Sequence, residues 1–357
     1  MIPLALPAVS DATKPFVTRL CEGRPPHARE SGRVKSASGW SLWCGAQGLL
    51  EIGLDAESLV GDVVLVDPIA GRADRLIRAR SGHNTLLVTE QCDQLCTMCS
   101  QPPKKTHVDR FDLLLEACRL APEGHTIGIS GGEPMLHSVR LLSMIEQVLE
   151  ERSDLSFHVL TNGQHFEDEH RARLRQPLYR RVVWGIPLYA PEATLHDEIV
   201  GKRGAFARLT ESFAHLFLAG ARVELRTVLT AQTLPVLAEL SRLVVLDLPH
   251  IEQWSLMGLE NIGFARSRWN ELQIDLPEDF GPIGLALDRA RLHGVPARLF
   301  NIPLCKVPPA FRNLAVASIS DWKQRFGSRC RGCSARHDCA GFFEWHPDEL
   351  VEGVTPL

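Results

Sequence analysis

From Asn84 to Met257 the sequence alternates between short apolar, β-branched runs and longer stretches of helical period, and no other feature restricts the fold as tightly. The runs lie near residues 85–90, 126–130, 156–161, 181–188, 222–229 and 251–257. Strand and helix in regular turn require parallel strands joined by right-handed crossovers, so the expected class is α/β with six βα units. Upstream, residues 1–31 are rich in Pro and charge and lack period, which reads as an N-terminal arm. Residues 32–83 carry Leu49–Ile52 and Val63–Val66 between Gly and Asp-Pro breaks, which suggests a small β-rich unit. The βα units occupy residues 84–295, and residues 296–357 form a C-terminal extension.

Just after the first of the six strands comes Cys92-x3-Cys96-x2-Cys99, three thiolates with no fourth Cys or His close behind. Closed zinc and iron–sulfur sites take four protein ligands, so a trio leaves one metal position open to a small molecule. Three thiolates suit a four-iron, four-sulfur cluster with one iron free; a redox site, a zinc site completed from a distance and buried thiols are the alternatives. The second strand, Thr126–Ser130, runs into Gly131-Gly132-Glu133-Pro134 and then a helical stretch from about His137 to Glu151. The glycines permit close approach, Glu133 can accept hydrogen bonds from an ammonium group, and Pro134 can open a helix.

Other candidates also follow strands. Thr161-Asn162-Gly163 ends the third, as a turn or as a ligand contact. On the fifth, Glu224 and Arg226 share one face and Val223, Leu225 and Thr227 the other, so the charged pair needs a mutual partner, solvent or a ligand carboxylate. After the fourth, Tyr189 leads to His196-Asp197, Gly201 and Gly204-Ala-Phe206, a segment that capping by Asp197 and packing by Phe206 partly explain. Near the C-terminus, Cys330-x2-Cys333-x5-Cys339 follows a solitary Cys305, and four thiolates can close one zinc or iron–sulfur site. Cys118, inside an apolar helical pattern, reads as a buried structural thiol.

The run TLLVTEQCDQLCTMCSQPPK, the Gly-Gly-Glu turn, Gly61-Asp62-Val-Val-Leu-Val-Asp67-Pro68 and the terminal Cys-Arg-Gly-Cys group resemble the radical S-adenosylmethionine (SAM) superfamily, and within it the C-type maturases of the His-Xaa-Ser repeat system. That resemblance implies a partial (βα)6 TIM-like barrel with a C-terminal twitch or SPASM-like extension. It implies that Cys92, Cys96 and Cys99 hold a SAM-binding 4Fe-4S cluster and that Gly131, Gly132 and Glu133 hold the methionine amino group. Asn162, Tyr189 and Arg226 would surround the rest of SAM, with Met98 against adenine. Cys305, Cys330, Cys333 and Cys339 would hold one auxiliary 4Fe-4S cluster. The implied activity is abstraction of a hydrogen atom from a ribosomally made precursor peptide bearing His-Xaa-Ser repeats, ending in a cross-link, an epimerisation or an oxidation. A ferredoxin or flavodoxin reductant and a second radical SAM maturase are the implied partners.

Composition bounds the alternatives. With 39 basic and 43 acidic residues the formal charge is -4, which gives no basic surface for nucleic acid. No apolar run reaches membrane-spanning length and no signal-peptide pattern opens the chain, so a cytoplasmic location is expected. Ten cysteines in a reducing compartment then argue for metal ligation over disulfides.

Overall fold

Alternating burial at the N-terminus builds a closed barrel where an arm was expected. A computed structural model describes residues 2–25 and 27–357; Met1 and Pro26, inside the expected arm, lie outside the described residues. The barrel comprises β1 (Ala5–Ser10), β2 (Phe16–Cys21), β3 (Glu30–Ala37), β4 (Trp40–Gly45), β5 (Gly48–Ile52), β6 (Val63–Asp67) and β7 (Arg72–Ile77). Its strand order is β1-β5-β4-β3-β2-β6-β7, closing back on β1, with β2 and β3 parallel and the other pairs antiparallel. Leu6, Ala8, Phe16 and Leu20 of the supposed arm point inward against Trp43, Leu50, Ile52, Val64 and Val66. Each strand is only six residues long, too short for its period to stand out beside the prolines and charges. Pairing with β5, β6 and β7, far along the chain, is what fixes them, so a boundary at residue 31 would cut the barrel apart.

The second unit is one parallel sheet of β8 (Asn84–Thr89), β9 (Thr126–Gly131), β10 (Ser156–Leu160), β11 (Val182–Pro187), β12 (Arg222–Val228), β13 (Gln253–Met257), β14 (Ala297–Phe300) and β15 (Ala315–Val316). Strand order follows chain order throughout, as repeated βα units dictate. The six expected strands are there, and β14 and β15 extend the sheet beyond residue 295, where the unit was expected to end. Both are short, and pairing of β14 with β13 and of β15 with β14 supplies the order that their own sequence does not signal.

Helices α1 (Phe111–Arg119), α2 (Ser138–Glu151), α3 (Asp168–Leu174), α4 (Ala193–Val200), α5 (Ala205–Ala219), α6 (Leu237–Asp247), α7 (Phe264–Ser267), α8 (Trp269–Leu272) and α9 (Phe280–Leu292) make the crossovers. In α2, Leu141, Leu142, Ile145, Val148 and Leu149 form one buried stripe, the spacing of a helix with a single core face. It packs on the outward side chains of the sheet, among them Ile127, Ile129, Phe157 and Val159. Burying each such side chain contributes about 1.5–3 kcal/mol relative to exposure.

The opposite face of the sheet surrounds a cavity of about 880 Å³, lined by residues from all eight strands. Glycines keep it open: a Cβ at Gly128 would lie 2.5 Å from Thr85 Oγ1, and one at Gly185 would lie 2.7 Å from Leu160 Cδ2. Arg78, in the link from β7 to β8, donates from Nη1 to Asp321 Oδ1 at 2.8 Å. This ties the first strand's side of the sheet to the segment that follows its last strand. A two-stranded ribbon, β16 (Gln324–Arg325) with β17 (Phe342–Phe343), supports the C-terminal cysteines. Among the described residues no helix is long and apolar enough to cross a membrane.

Candidate functional site

The loop after β8 turns back on itself through Cys99 N–H donating to Cys96 O at 3.0 Å, and the Cys92, Cys96 and Cys99 side chains all line the cavity. Backbone contacts from two other crossovers hold the loop. Leu95 and Thr97 N–H donate to Val200 O and Ile199 O at 2.9 and 2.8 Å, at the end of α4. Gly201 caps that helix at φ 65°, and a Cβ there would lie 2.8 Å from Leu95 O, so glycine permits the approach. From the other side Phe264 N–H donates to Cys99 O at 2.8 Å and Arg268 Nη1 to Thr97 O at 3.1 Å. The quoted sequence contained Gly201, but only the fold reveals the loop that it meets.

Burial pushes the Cys92 thiol up to about 11 and, with the Cys99 and Cys92 thiols as neighbours, the Cys96 thiol up to about 12. Cys99 is raised by burial as well. Three partly buried thiols, of which Cys92 and Cys96 are raised further by their neighbours, fit a metal group that supplies the positive charge. Among the described residues no group of three His, Cys, Asp or Glu side chains has the geometry of a single bound metal ion.

Gly131 and Gly132 lie against the backbone of this loop and line the cavity. A Cβ at Gly132 would lie 2.1 Å from Gln91 O, and one at Gly131 2.4 Å from Thr89 O. Gly132 and Glu133 N–H donate to Thr89 O and Gln91 O at 2.9 and 2.7 Å. The glycine pair thus serves the packing of one loop on the next as well as access from the cavity.

Glu133 is 0% exposed and is not among the residues that line the cavity. Its Oε1 accepts from Met135 N–H and Thr161 Oγ1, each at 2.7 Å, and its Oε2 accepts from Asn162 N–H. Burial raises its pKa, opposed first by the Asn162 N–H. In this arrangement the carboxylate joins the second strand end to the third, and three of its four lone pairs are engaged.

Asn162 lines the cavity while its Nδ2 donates to Asp93 Oδ1 at 2.8 Å. Asp93 also holds Lys202 Nζ and lies 3.1 Å from His165 Nε2. Burial would raise its pKa, but His165 and Lys202 outweigh burial and hold its carboxyl well below the usual range. Asp93 and Lys202 were missed by sequence reasoning because 109 residues separate the partners. Only the neighbouring Cys92 marks Asp93 as interesting.

Met98 and Tyr189 are buried side by side with Ile199, Val200 and Leu259, and both line the cavity. Tyr189 stacks on His196 with ring centroids 5.9 Å apart, and Asp197 accepts from Gly204 and Phe206 N–H, capping α5. Arg226 also lines the cavity and donates from Nη1 to both oxygens of Glu224, at 3.1 and 3.0 Å; its Nε and Nη2 have no hydrogen-bond partner among the described residues. Thus the cavity brings together Cys92, Cys96, Cys99, Met98, Gly131, Gly132, Asn162, Tyr189 and Arg226, and leaves out Glu133.

The four C-terminal cysteines lie in a separate cavity. Cys305, Cys330, Cys333 and Cys339 all line one small apolar cavity, walled by Phe326, Phe342 and Val354. Leu304 and Gly341 N–H point at Cys339 Sγ, 3.3 and 3.4 Å away. Cys305 is pushed up to about 11 by burial and by Cys339 and Cys330. Convergent thiols with backbone donors to sulfur fit a cysteine-bound metal group.

No protein-family model matches the sequence, and no curated protein does. Among solved structures, SuiB of Streptococcus suis bound to S-adenosylmethionine aligns with a TM-score of 0.50 and 15% identity, over 62% of this chain and 51% of SuiB. The protein anSMEcpe with bound AdoMet aligns at 0.48 and 14% identity, over 60% of this chain and 62% of its own. A radical SAM methyltransferase from Sphaerobacter thermophilus aligns at 0.43 and 16% identity, over 75% of this chain and 76% of its own. This chain spans about half the length of SuiB, with which it shares a mixed α/β fold.

Proposed function

We propose that this chain is a radical SAM enzyme that modifies a ribosomally made peptide. One observation carries the reading: three cysteine thiols without a fourth line the same cavity as a glycine pair, at the C-terminal ends of parallel strands. SuiB, which shares the fold, has been crystallised with S-adenosylmethionine and with its precursor peptide SuiA.

Cys92, Cys96 and Cys99 would hold a 4Fe-4S cluster with one iron open to SAM. When bound, the pair supplies a 5'-deoxyadenosyl radical able to take a hydrogen atom from an unactivated carbon. Arg226 offers two free guanidinium positions for the SAM carboxylate, and Asn162 and Tyr189 bound the pocket. Met98, buried against Tyr189, gives adenine an apolar surface. Glu133, buried behind the cavity wall, acts in this reading by fixing the Thr161-Asn162 turn. The C-terminal quartet would hold one auxiliary 4Fe-4S cluster in a twitch or SPASM-like extension. The substrate in this reading is a His-Xaa-Ser repeat peptide and the product a cross-link, with ferredoxin or flavodoxin as reductant in the cytoplasm and a second radical SAM maturase as partner.

Mass spectrometry of a His-Xaa-Ser repeat peptide co-expressed with this protein tests substrate and reaction together. A loss of two hydrogens, about 2 Da, is expected for a cross-link. An unchanged mass and unchanged stereochemistry would overturn the peptide assignment.

A further inference from the structure

Across the cavity wall, β10 and β12 carry polar side chains that meet over the intervening β11. His158 Nε2 lies 2.6 Å from Glu224 Oε2, although β11 separates the two strands. Gly185 makes this possible, since a Cβ there would lie 3.1 Å from His158 Nε2 and 3.1 Å from Arg226 Cδ. Glu224 is 5% exposed and takes three further contacts, two from Arg226 Nη1 and one from Ser255 Oγ on β13. Gln253 Nε2 in turn donates to Ser255 Oγ at 2.9 Å. Burial alone would push the Glu224 carboxyl up, but His158 and Arg226 outweigh burial and hold it down at about 2.

An ionised carboxylate can only accept, so His158 donates through Nε2–H and Nδ1 is its remaining nitrogen. Nδ1 has no hydrogen-bond partner among the described residues, and His158 lines the cavity with 32% of its side chain exposed. Glu224 holds the ring, and Arg226 Nη1 and Ser255 Oγ in turn hold Glu224. A base fixed by a buried acid, with its free nitrogen in a substrate-sized cavity, is an arrangement for proton transfer.

We infer that His158 is the proton acceptor of this cavity, taking a proton at Nδ1 from a substrate N–H or O–H group while Glu224 keeps the ring oriented. The proton leaves the substrate heteroatom and becomes Nδ1–H of an imidazolium whose Nε2–H stays on Glu224. Glu224 is a positioning residue: it holds the ring through Nε2. The assignment rests on the peptide-modifying reading.

The test uses the anaerobically reconstituted holoprotein, reductant, SAM and a His-Xaa-Ser repeat peptide, scoring 5'-deoxyadenosine and modified peptide separately. His158→Gln keeps a donor for Glu224, so iron content and 5'-deoxyadenosine release are expected within about twofold of wild type, with modified peptide down about 100-fold. In Glu224→Gln the ring loses the anion that orients it, so kcat for peptide modification is expected to fall about tenfold with the peptide KM unchanged. Full peptide modification by His158→Gln overturns the inference, as does an unchanged kcat for peptide modification in Glu224→Gln. Loss of 5'-deoxyadenosine together with iron in His158→Gln also overturns it, by assigning the residue to the fold. A wild type that makes no 5'-deoxyadenosine or leaves the peptide unmodified overturns the peptide reading itself, and this inference with it.

Discussion

The two cysteine groups use the same ligand chemistry in opposite surroundings. Cys92, Cys96 and Cys99 sit at one end of an 880 Å³ cavity that also exposes Asn162, Arg226 and His158. Cys305, Cys330, Cys333 and Cys339 close on a small space walled by Phe326, Phe342 and Val354. Three thiols facing a large, partly polar cavity would leave a place for a second molecule beside a bound metal group; four thiols in an apolar wrap would leave none. The number of thiols therefore matters less than what stands opposite the missing one.

The contrast is broken most severely at the trio. Cys96→Ala is expected to abolish 5'-deoxyadenosine formation, checked by chromatography of the reduced, SAM-treated protein, while iron at the C-terminal quartet persists. Cys330→Ala is the mirror image. It should lower total iron by the content of one cluster, measured by iron analysis, and spare SAM cleavage. Equal loss from both variants would mean that the two groups form one site.

Gly132→Ala sharpens the comparison by touching only the trio's support. A Cβ 2.1 Å from Gln91 O forces backbone to move, so a loss of about 3 kcal/mol is expected in denaturant unfolding, with poor iron loading at the trio. Asp93→Asn has the smallest expected effect, about 1 kcal/mol, because Asp93 and Lys202 are both partly exposed. Its sign with pH is definite. The folded-state pKa of Asp93 is depressed, so its contribution is present above the unfolded value of about 4 and is lost as pH falls towards the folded one. The difference in stability between wild type and Asp93→Asn should therefore shrink below about pH 4, measured by unfolding at several pH values.

Residues with local signals were readable before folding. The β8 and β9 runs, the cysteine spacings and the Gly-Gly-Glu-Pro turn depend on neighbours in sequence. What escaped depends on distant ones. The barrel strands β1 and β2 exist through pairing with β5, β6 and β7, β14 through β13, and β15 through β14. Glu133 looked like a ligand for an ammonium group, yet the partners it has are Met135, Thr161 and Asn162, two of them across a strand crossover. Glu224 and Arg226 looked ambiguous between pair and ligand, and the fold gives Arg226 both a partner and free positions. His158 went unnoticed because its meaning depends on Glu224, two strands away across Gly185.

The central claim, that SAM is cleaved in the cavity beside Cys92, Cys96 and Cys99, is tested most directly by chromatography of 5'-deoxyadenosine. Reduced, reconstituted protein given SAM is expected to release it in wild type and in Cys330→Ala and not in Cys96→Ala. Release that is absent from wild type, or that survives in Cys96→Ala, would contradict the claim.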